Sequence, residues 1–151
     1  MIRRATLQDV RKIHQLISEQ AKTGSILPRA LSDLFTQVRE FLVRPGNDTG
    51  ELVGCGALHI VWEDLAEIRS LAVTTSHQRR GIGSELIEAL LEEARTMGIV
   101  KVFVLTDRVR LFERLGFEKM DKGELPHKIW ADCIKCTKFP HCDEVALVRK
   151  P

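Results

Sequence analysis

The chain has 151 residues, 44% hydrophobic and 29% charged, with a net charge of +2. That suffices for one well-filled core and is expected to form a single domain over residues 1–151. Lysine and arginine are interspersed with acids and aromatics make up only 5%, which argues against nucleic acid as the main partner; no apolar run approaches the ~18–20 residues of a membrane-spanning helix. The N-terminus has no signal-peptide core, so a cytoplasmic protein with reduced cysteines is expected.

Residues 2–5 read as a first short strand. Thr6, with Asp9 three positions on, resembles a capping box. Val10, Ile13, Leu16 and Ile17 then recur at helical spacing, up to a stop near Gly24. A loop follows at residues 24–29. Leu31, Leu34, Phe35, Val38 and Leu42 give a second helical stripe, overlapping a strand-like segment at 41–44. Residues 45–50, Pro-Gly-Asn-Asp-Thr-Gly, are the plainest turn. Segments 51–62 and 65–74 read as an antiparallel hairpin; Gly54 and Gly56 suggest a bulge or the close approach of another backbone. A helix is expected from Ile82 to Met97, ended by Gly98. A buried strand at 101–105, a short helix at 108–115, a strand from Phe117 and a closing strand at 145–148 complete the chain, with residues 123–144 irregular. Helices set among hairpins indicate an α/β (α+β) fold with a mixed, mostly antiparallel sheet.

The most informative stretch is Gln78-Arg79-Arg80-Gly81-Ile82-Gly83. Glycines after a strand and before a helix let backbone N–H groups approach a ligand, and the helix start adds unpaired donors and its positive dipole end. With two arginines alongside, this is a site for phosphate, ideally a pyrophosphate. The dinucleotide pattern G-x-G-x-x-G fails at Leu86, and no P-loop is present. What remains is Q-x-x-G-x-G.

That motif, preceded by Leu71-Ala72-Val73 and followed by a helix, a strand and Leu115-Gly116-Phe117, resembles the GNAT N-acetyltransferase family. The resemblance implies the acyl-CoA N-acyltransferase fold and acetyl-CoA as co-substrate. It implies that the pyrophosphate lies on the backbone of Gln78, Arg79, Arg80, Gly81, Ile82, Gly83 and Ser84, and that pantetheine pairs with Leu71, Ala72 and Val73. The amine must lose a proton and the thioester oxygen must be stabilised as it gains charge. Glu67, in the setting Ala66-Glu67-Ile68, matches the general base of many members, and the Leu71 N–H the oxyanion donor. The tyrosine that many members use as acid is absent, because the chain has no tyrosine; Phe112 stands at that place.

A closer resemblance is to N-acetylglutamate synthases. It rests on residues 24–29 (Gly-Ser-Ile-Leu-Pro-Arg), Gly54-Cys55-Gly56-Ala57-Leu58, the segment Glu67 to Val73, residues 102–106 (Val-Phe-Val-Leu-Thr) and Glu124-Leu125-Pro126. It implies a stand-alone form, without an amino-acid-kinase domain, acting on L-glutamate in arginine biosynthesis. A dicarboxylate needs cationic partners. Arg29 matches the entry motif, Arg69 shares a strand face with Glu67, and Arg108 falls after the 101–105 strand. The family's arginine before the last strand is replaced by Cys142-Asp143-Glu144, which leaves glutamine or another amino acid open. A polyamine or protein amine, or a non-catalytic acyl-CoA-binding module, are the rival readings. A homodimer is left open.

Cys133-x2-Cys136-x5-Cys142 carries a metal-ligand spacing, with His141 or His127 available as a fourth donor. Zinc is one reading, a redox pair another; only one tight pair exists, and reduced thiols without a ligand are the plainer expectation. Cys55 reads as a small buried apolar residue. His14, His59 and His77 are not assigned a role, although His59 lies on the strand beside that of Glu67.

Overall fold

The structure, a computed structural model, describes residues 1–24, 26–47, 50–126 and 144–151. Seven strands form one sheet: β1 (Arg3–Arg4), β2 (Phe41–Pro45), β3 (Leu52–Trp62), β4 (Leu65–Val73), β5 (Lys101–Thr106), β6 (Glu118–Met120) and β7 (Val145–Arg149). Their order is β1-β2-β3-β4-β5-β7-β6. Every neighbouring pair is antiparallel except β4–β5. A parallel pair needs a long crossover, and the helix after the glycine turn supplies it. The mixed, mostly antiparallel sheet is as expected.

Among the described residues, four helices pack on this sheet: α1 (Val10–Ala21), α2 (Leu31–Thr36), α3 (Ile82–Met97) and α4 (Val109–Arg114). On one face, Leu86, Ile87, Leu90 and Leu91 of α3 meet Leu58, Ile68, Leu71 and Val104. On the other, Val10, Ile13, Leu16 and Ile17 of α1 and Leu34 of α2 meet Phe41, Val43, Cys55, Ala57 and Ala72. None of the helices among the described residues is long and apolar enough to cross a membrane.

The stripe that begins at Leu31 stops sooner than its spacing implies. α2 ends at Thr36, and a 3-10 turn (Val38–Glu40) leads into β2. Phe41 and Val43 pack on the α1 face while Leu42 packs on the α3 face. That two-residue alternation is the strand period, and burial on both faces overrides the helical continuation.

The two glycines of β3 lie under α3, and the expected bulge falls opposite Gly56. A Cβ on Gly54 would meet Leu86 Cδ1 at 2.9 Å and Ile82 Cγ2 at 3.0 Å, and one on Gly56 would meet Leu90 Cδ1 at 3.1 Å. The tightest contacts are with α3, joined at Gly56 by Leu71 Cδ1 of β4 at 3.2 Å. The bulge lies on the neighbouring strand: Ala57 pairs with Arg69 and Cys55 with Ala72, so Gly56 faces both Ser70 and Leu71.

The N-terminal strand is fastened to α1 through Asp9. Its carboxylate accepts from Arg3 Nη1 at 2.7 Å and Nη2 at 3.0 Å, and from the Thr6 N–H at 2.7 Å. The Arg3 guanidinium, before the Thr6 N–H, holds the Asp9 carboxyl down to about 2. A depressed carboxyl contributes stability above its unfolded pKa, near ~4, and loses it as pH falls toward the folded value. Asp9→Asn is therefore expected to cost about 2 kcal/mol at pH 7. Urea melts should show that difference shrinking between roughly pH 4 and 2; a pH-independent difference would contradict the assignment.

Candidate active site

β4 carries the site because of its bulge. Ala66 and Ile68 face α3; so do Leu71 and Val73, while Ala72 faces α1. The extra residue, Ser70, shifts the alternation by one and takes a positive φ of 53°. Its carbonyl accepts from Cys55 Sγ at 3.5 Å. Burial pushes the Cys55 thiol up to about 12, so it remains protonated and unreactive. Alkylation mapped by mass spectrometry should leave Cys55 unmodified until the protein is denatured; labelling in the native state would show that β3 opens.

The parallel ladder between β4 and β5 runs only from Leu65–Lys101 to Ile68–Val104. β4 continues to Val73 along β3, whereas β5 continues to Thr106 along β7. Beyond Ile68 the two strands therefore part, and β4 from Arg69 to Val73 presents its second edge to the gap. An extended amide-bearing ligand can add there as a strand would.

The glycine turn lies just beyond this edge. Arg79 (φ 66°) and Gly81 (φ 84°) are both left-handed. α3 starts at Ile82 with no side-chain cap, so its first N–H groups are left for a ligand. A Cβ at Gly81 would meet nothing within 4 Å, and one at Gly83 only Leu111 Cδ2 at 3.9 Å. Arg79 and Arg80 are exposed beside it. Open backbone donors, a dipole end and two cations fit a pyrophosphate. Gln78 braces the turn: its Nε2 donates to the Val73 carbonyl at 3.1 Å and to Oε1 of the buried Gln20 on α1 at 3.3 Å.

On the α1–α2 face the structure gathers a polar cluster. Glu67, only 8% exposed, accepts from Arg69 Nε at 2.7 Å. Arg29 reaches over from the loop before α2; its Nη1 donates to Ser70 Oγ at 2.9 Å and its Nη2 to Gln37 Oε1. Both acceptors are neutral, and Arg29 makes no ion pair among the described residues. Burial, then the neighbouring Arg69, lower its pKa from the usual arginine value, against the pull of Glu40, Asp33 and Glu67. His59 pairs directly with Glu67 across β3–β4, and its Nδ1 lies 3.1 Å from Glu40 Oε1.

Among the residues expected from sequence, Glu67, Arg69 and Arg29 thus come together. Arg108 does not join them by any bond: it sits at the start of α4, where its N–H donates to Thr106 Oγ1 at 2.9 Å. Phe112 is buried and stacks edge-on against Phe117, centroids 5.1 Å apart; its ring brings no proton donor. His77 Nδ1 is occupied by Thr74 Oγ1 at 3.0 Å and Ser76 Oγ at 2.9 Å. Cys133, Cys136, Cys142, His127 and His141 lie outside the described residues. Among those described, no group of three or more metal-ligating side chains occurs.

Sequence reasoning missed Ser70, Gln37, the Gln20–Gln78 brace and the Glu40–His59 pair. Ser70 had a signal: apolar alternation through Ala66 and Ile68 resumes at Leu71 and Val73, one residue out of phase. The other three are contacts between distant segments and leave no periodic trace.

Comparison with known proteins agrees with this geometry. Residues 7–117 match the Acetyltransferase (GNAT) family. An uncharacterised N-acetyltransferase of Chlorobaculum tepidum is 36% identical over 98% of this chain and 94% of its own length. An amino-acid acetyltransferase of Mycobacterium tuberculosis is 42% identical over 80% of this chain and 70% of its own. The solved N-acetylglutamate synthase of Neisseria gonorrhoeae, complexed with coenzyme A and N-acetyl-glutamate, superposes with a TM-score of 0.89 at 30% identity. The match covers 99% of this chain and 34% of that one, so the chain spans about a third of the synthase. The chain belongs to the GNAT acetyltransferase family and is an acetyl-CoA-dependent N-acetyltransferase.

Proposed function

We propose that the chain acetylates the α-amino group of an amino acid, that this amino acid is L-glutamate, and that the product serves arginine biosynthesis. The observation that carries this reading is Arg29: a half-buried guanidinium that, among the described residues, bonds to the neutral Ser70 and Gln37, near a second guanidinium, on the sheet face of Glu67. A substrate carboxylate brought to Arg29 would relieve its unfavourable burial. The M. tuberculosis relative, by name an amino-acid acetyltransferase, and the solved synthase that holds N-acetyl-glutamate support the choice. A polyamine would meet the like charges of Arg29 and Arg69 there.

Bound acetyl-CoA supplies the thioester carbonyl that the amine attacks. The backbone of Arg79 to Ser84, with Gln78 bracing the turn, would hold its pyrophosphate, and the free edge of β4 at Leu71, Ala72 and Val73 its pantetheine. Arg29 and Arg69 orient the amino acid through its carboxylates. Glu67 takes a proton from the ammonium and leaves a lone pair on nitrogen. The Leu71 N–H, just past the bulge, donates to the carbonyl oxygen as charge gathers on it. Phe112 has no proton to give, and a thiolate with a pKa near ~8.5 leaves without a dedicated acid at neutral pH. Release of CoA thiol, measured with each free amino acid at fixed acetyl-CoA, tests the reading. Glutamate should give the highest kcat/KM. Preference for glutamine would move the acceptor; no release with any amino acid would end the proposal.

A further inference from the structure

We propose that His59, oriented by Glu40, receives the proton that Glu67 takes from the amine and delivers it to solvent. This rests on the reading of Glu67 as base. Glu67 is nearly buried and held by Arg69, so a carboxyl protonated in one turnover needs an exit before the next. His59 is its direct cross-strand partner, in a register flanked by Leu58–Ile68 and Ile60–Ala66. Such pairs share a sheet face with Cβ atoms about 4.5–5.5 Å apart, which lets an imidazole reach a carboxylate directly or through one water.

The Glu40 contact decides which nitrogen works. Both Glu40 oxygens lie at His59 Nδ1, at 3.1 and 3.2 Å. An ionised carboxylate can only accept, so the proton of the neutral ring sits on Nδ1 and the lone pair on Nε2. Nε2 makes no hydrogen bond among the described residues, and the side chain is 29% exposed. The ring therefore keeps a lone pair on a strand position that pairs with Glu67, and it has a path to water. In the step, the O–H bond of protonated Glu67 breaks and its electron pair stays on the carboxylate oxygen. The Nε2 lone pair forms the new N–H bond, and the imidazolium gives that proton to water. Glu40 compensates the transient charge. His59 acts through Glu67, as a relay and positioning residue.

Among the described residues, few charged groups surround the imidazole. Glu40 faces it from the 3-10 turn, Glu67 and Arg69 from β4, with Arg29 from the loop and Asp33 from α2 in the same cluster. The buried residues of α1 are Val10, Ile13, Leu16, Ile17 and Gln20, none of which titrates.

His59→Gln and Glu40→Gln are compared with wild type at saturating acetyl-CoA, on whichever amino acid the wild type turns over. The relay predicts that His59→Gln loses roughly 10-fold or more in kcat, keeps the KM for acetyl-CoA, loses one ionisation from its pH–rate profile, and regains rate with added imidazole. Glu40→Gln should lose severalfold without responding to imidazole, because the ring is present but its tautomer is no longer imposed. A His59→Gln variant with unchanged kcat overturns the relay. So does one that loses rate with an unchanged pH profile and no response to imidazole, since that marks a packing role. Wild-type turnover reports separately on Glu67 and the acceptor: turnover with an unaffected His59 variant removes the relay alone, and no turnover with any amino acid removes both readings.

Discussion

Glu67→Gln is expected to lower kcat by about 10²-fold or more while leaving acetyl-CoA binding unchanged. The amide is close to isosteric and can still accept from Arg69 Nε, now at 2.7 Å from Oε1, so the cluster should keep its shape. What it lacks is the ability to take a proton from an ammonium. The residual rate should rise with pH, as hydroxide and water deprotonate a growing fraction of the amine. Acetyl-CoA titration by calorimetry, run beside stopped-time thiol assays, separates the two effects. Equal losses of binding and rate would move Glu67 from the chemistry to the architecture of β4.

The second large effect belongs to Arg29. Arg29→Gln removes a cation whose present partners, Ser70 and Gln37, are both neutral. A charge-assisted bond to a substrate carboxylate in a half-buried site is worth about 2–4 kcal/mol, or roughly 10²-fold in the KM of the amino acid. The KM of acetyl-CoA should not move, because the glycine turn is braced from Gln20 and Val73 rather than from the loop that carries Arg29. Arg29→Lys should recover part of the loss, since the charge returns but the two-pronged geometry does not. A variant that raises both KM values together would show that Arg29 matters only for holding the bulge at Ser70.

The co-substrate half of the site was legible in the sequence because it is local. A strand, a basic glycine turn and an amphipathic helix lie within 34 residues, 65–98, and each announces itself by period or by glycine. The parallel pairing of β4 with β5 came only with the structure. The acceptor half was only partly legible. Arg29 was found through likeness to a family motif, and nothing in its spacing says that it ends on Ser70, 41 positions away. The bulge left a trace in the slipped alternation after Ile68 and in Gly56, which stands opposite the extra residue. Glu40 and His59 were hidden for a simpler reason. Glu40 fell inside a helical stripe that Phe41, Leu42 and Val43 break by packing on alternate sides of the sheet. Only with the helix ended early does Glu40 arrive at the His59 ring.

The stabilising role of Asp9 and the inert thiol of Cys55 bear on the scaffold and not on the reaction. Both support the placement of α1 and β3. Their failure would loosen the frame without naming another acceptor.

The central claim is that this face receives an amino acid through its carboxylates, with glutamate preferred. Its most direct test is competition: glutamate, glutamine, lysine and spermidine at equal concentrations, with limiting acetyl-CoA and the acetylated products resolved by mass spectrometry. N-acetylglutamate is the expected dominant product with wild type, and Arg29→Gln should lose that dominance. Dominant acetylation of spermidine or of the lysine side chain would contradict it.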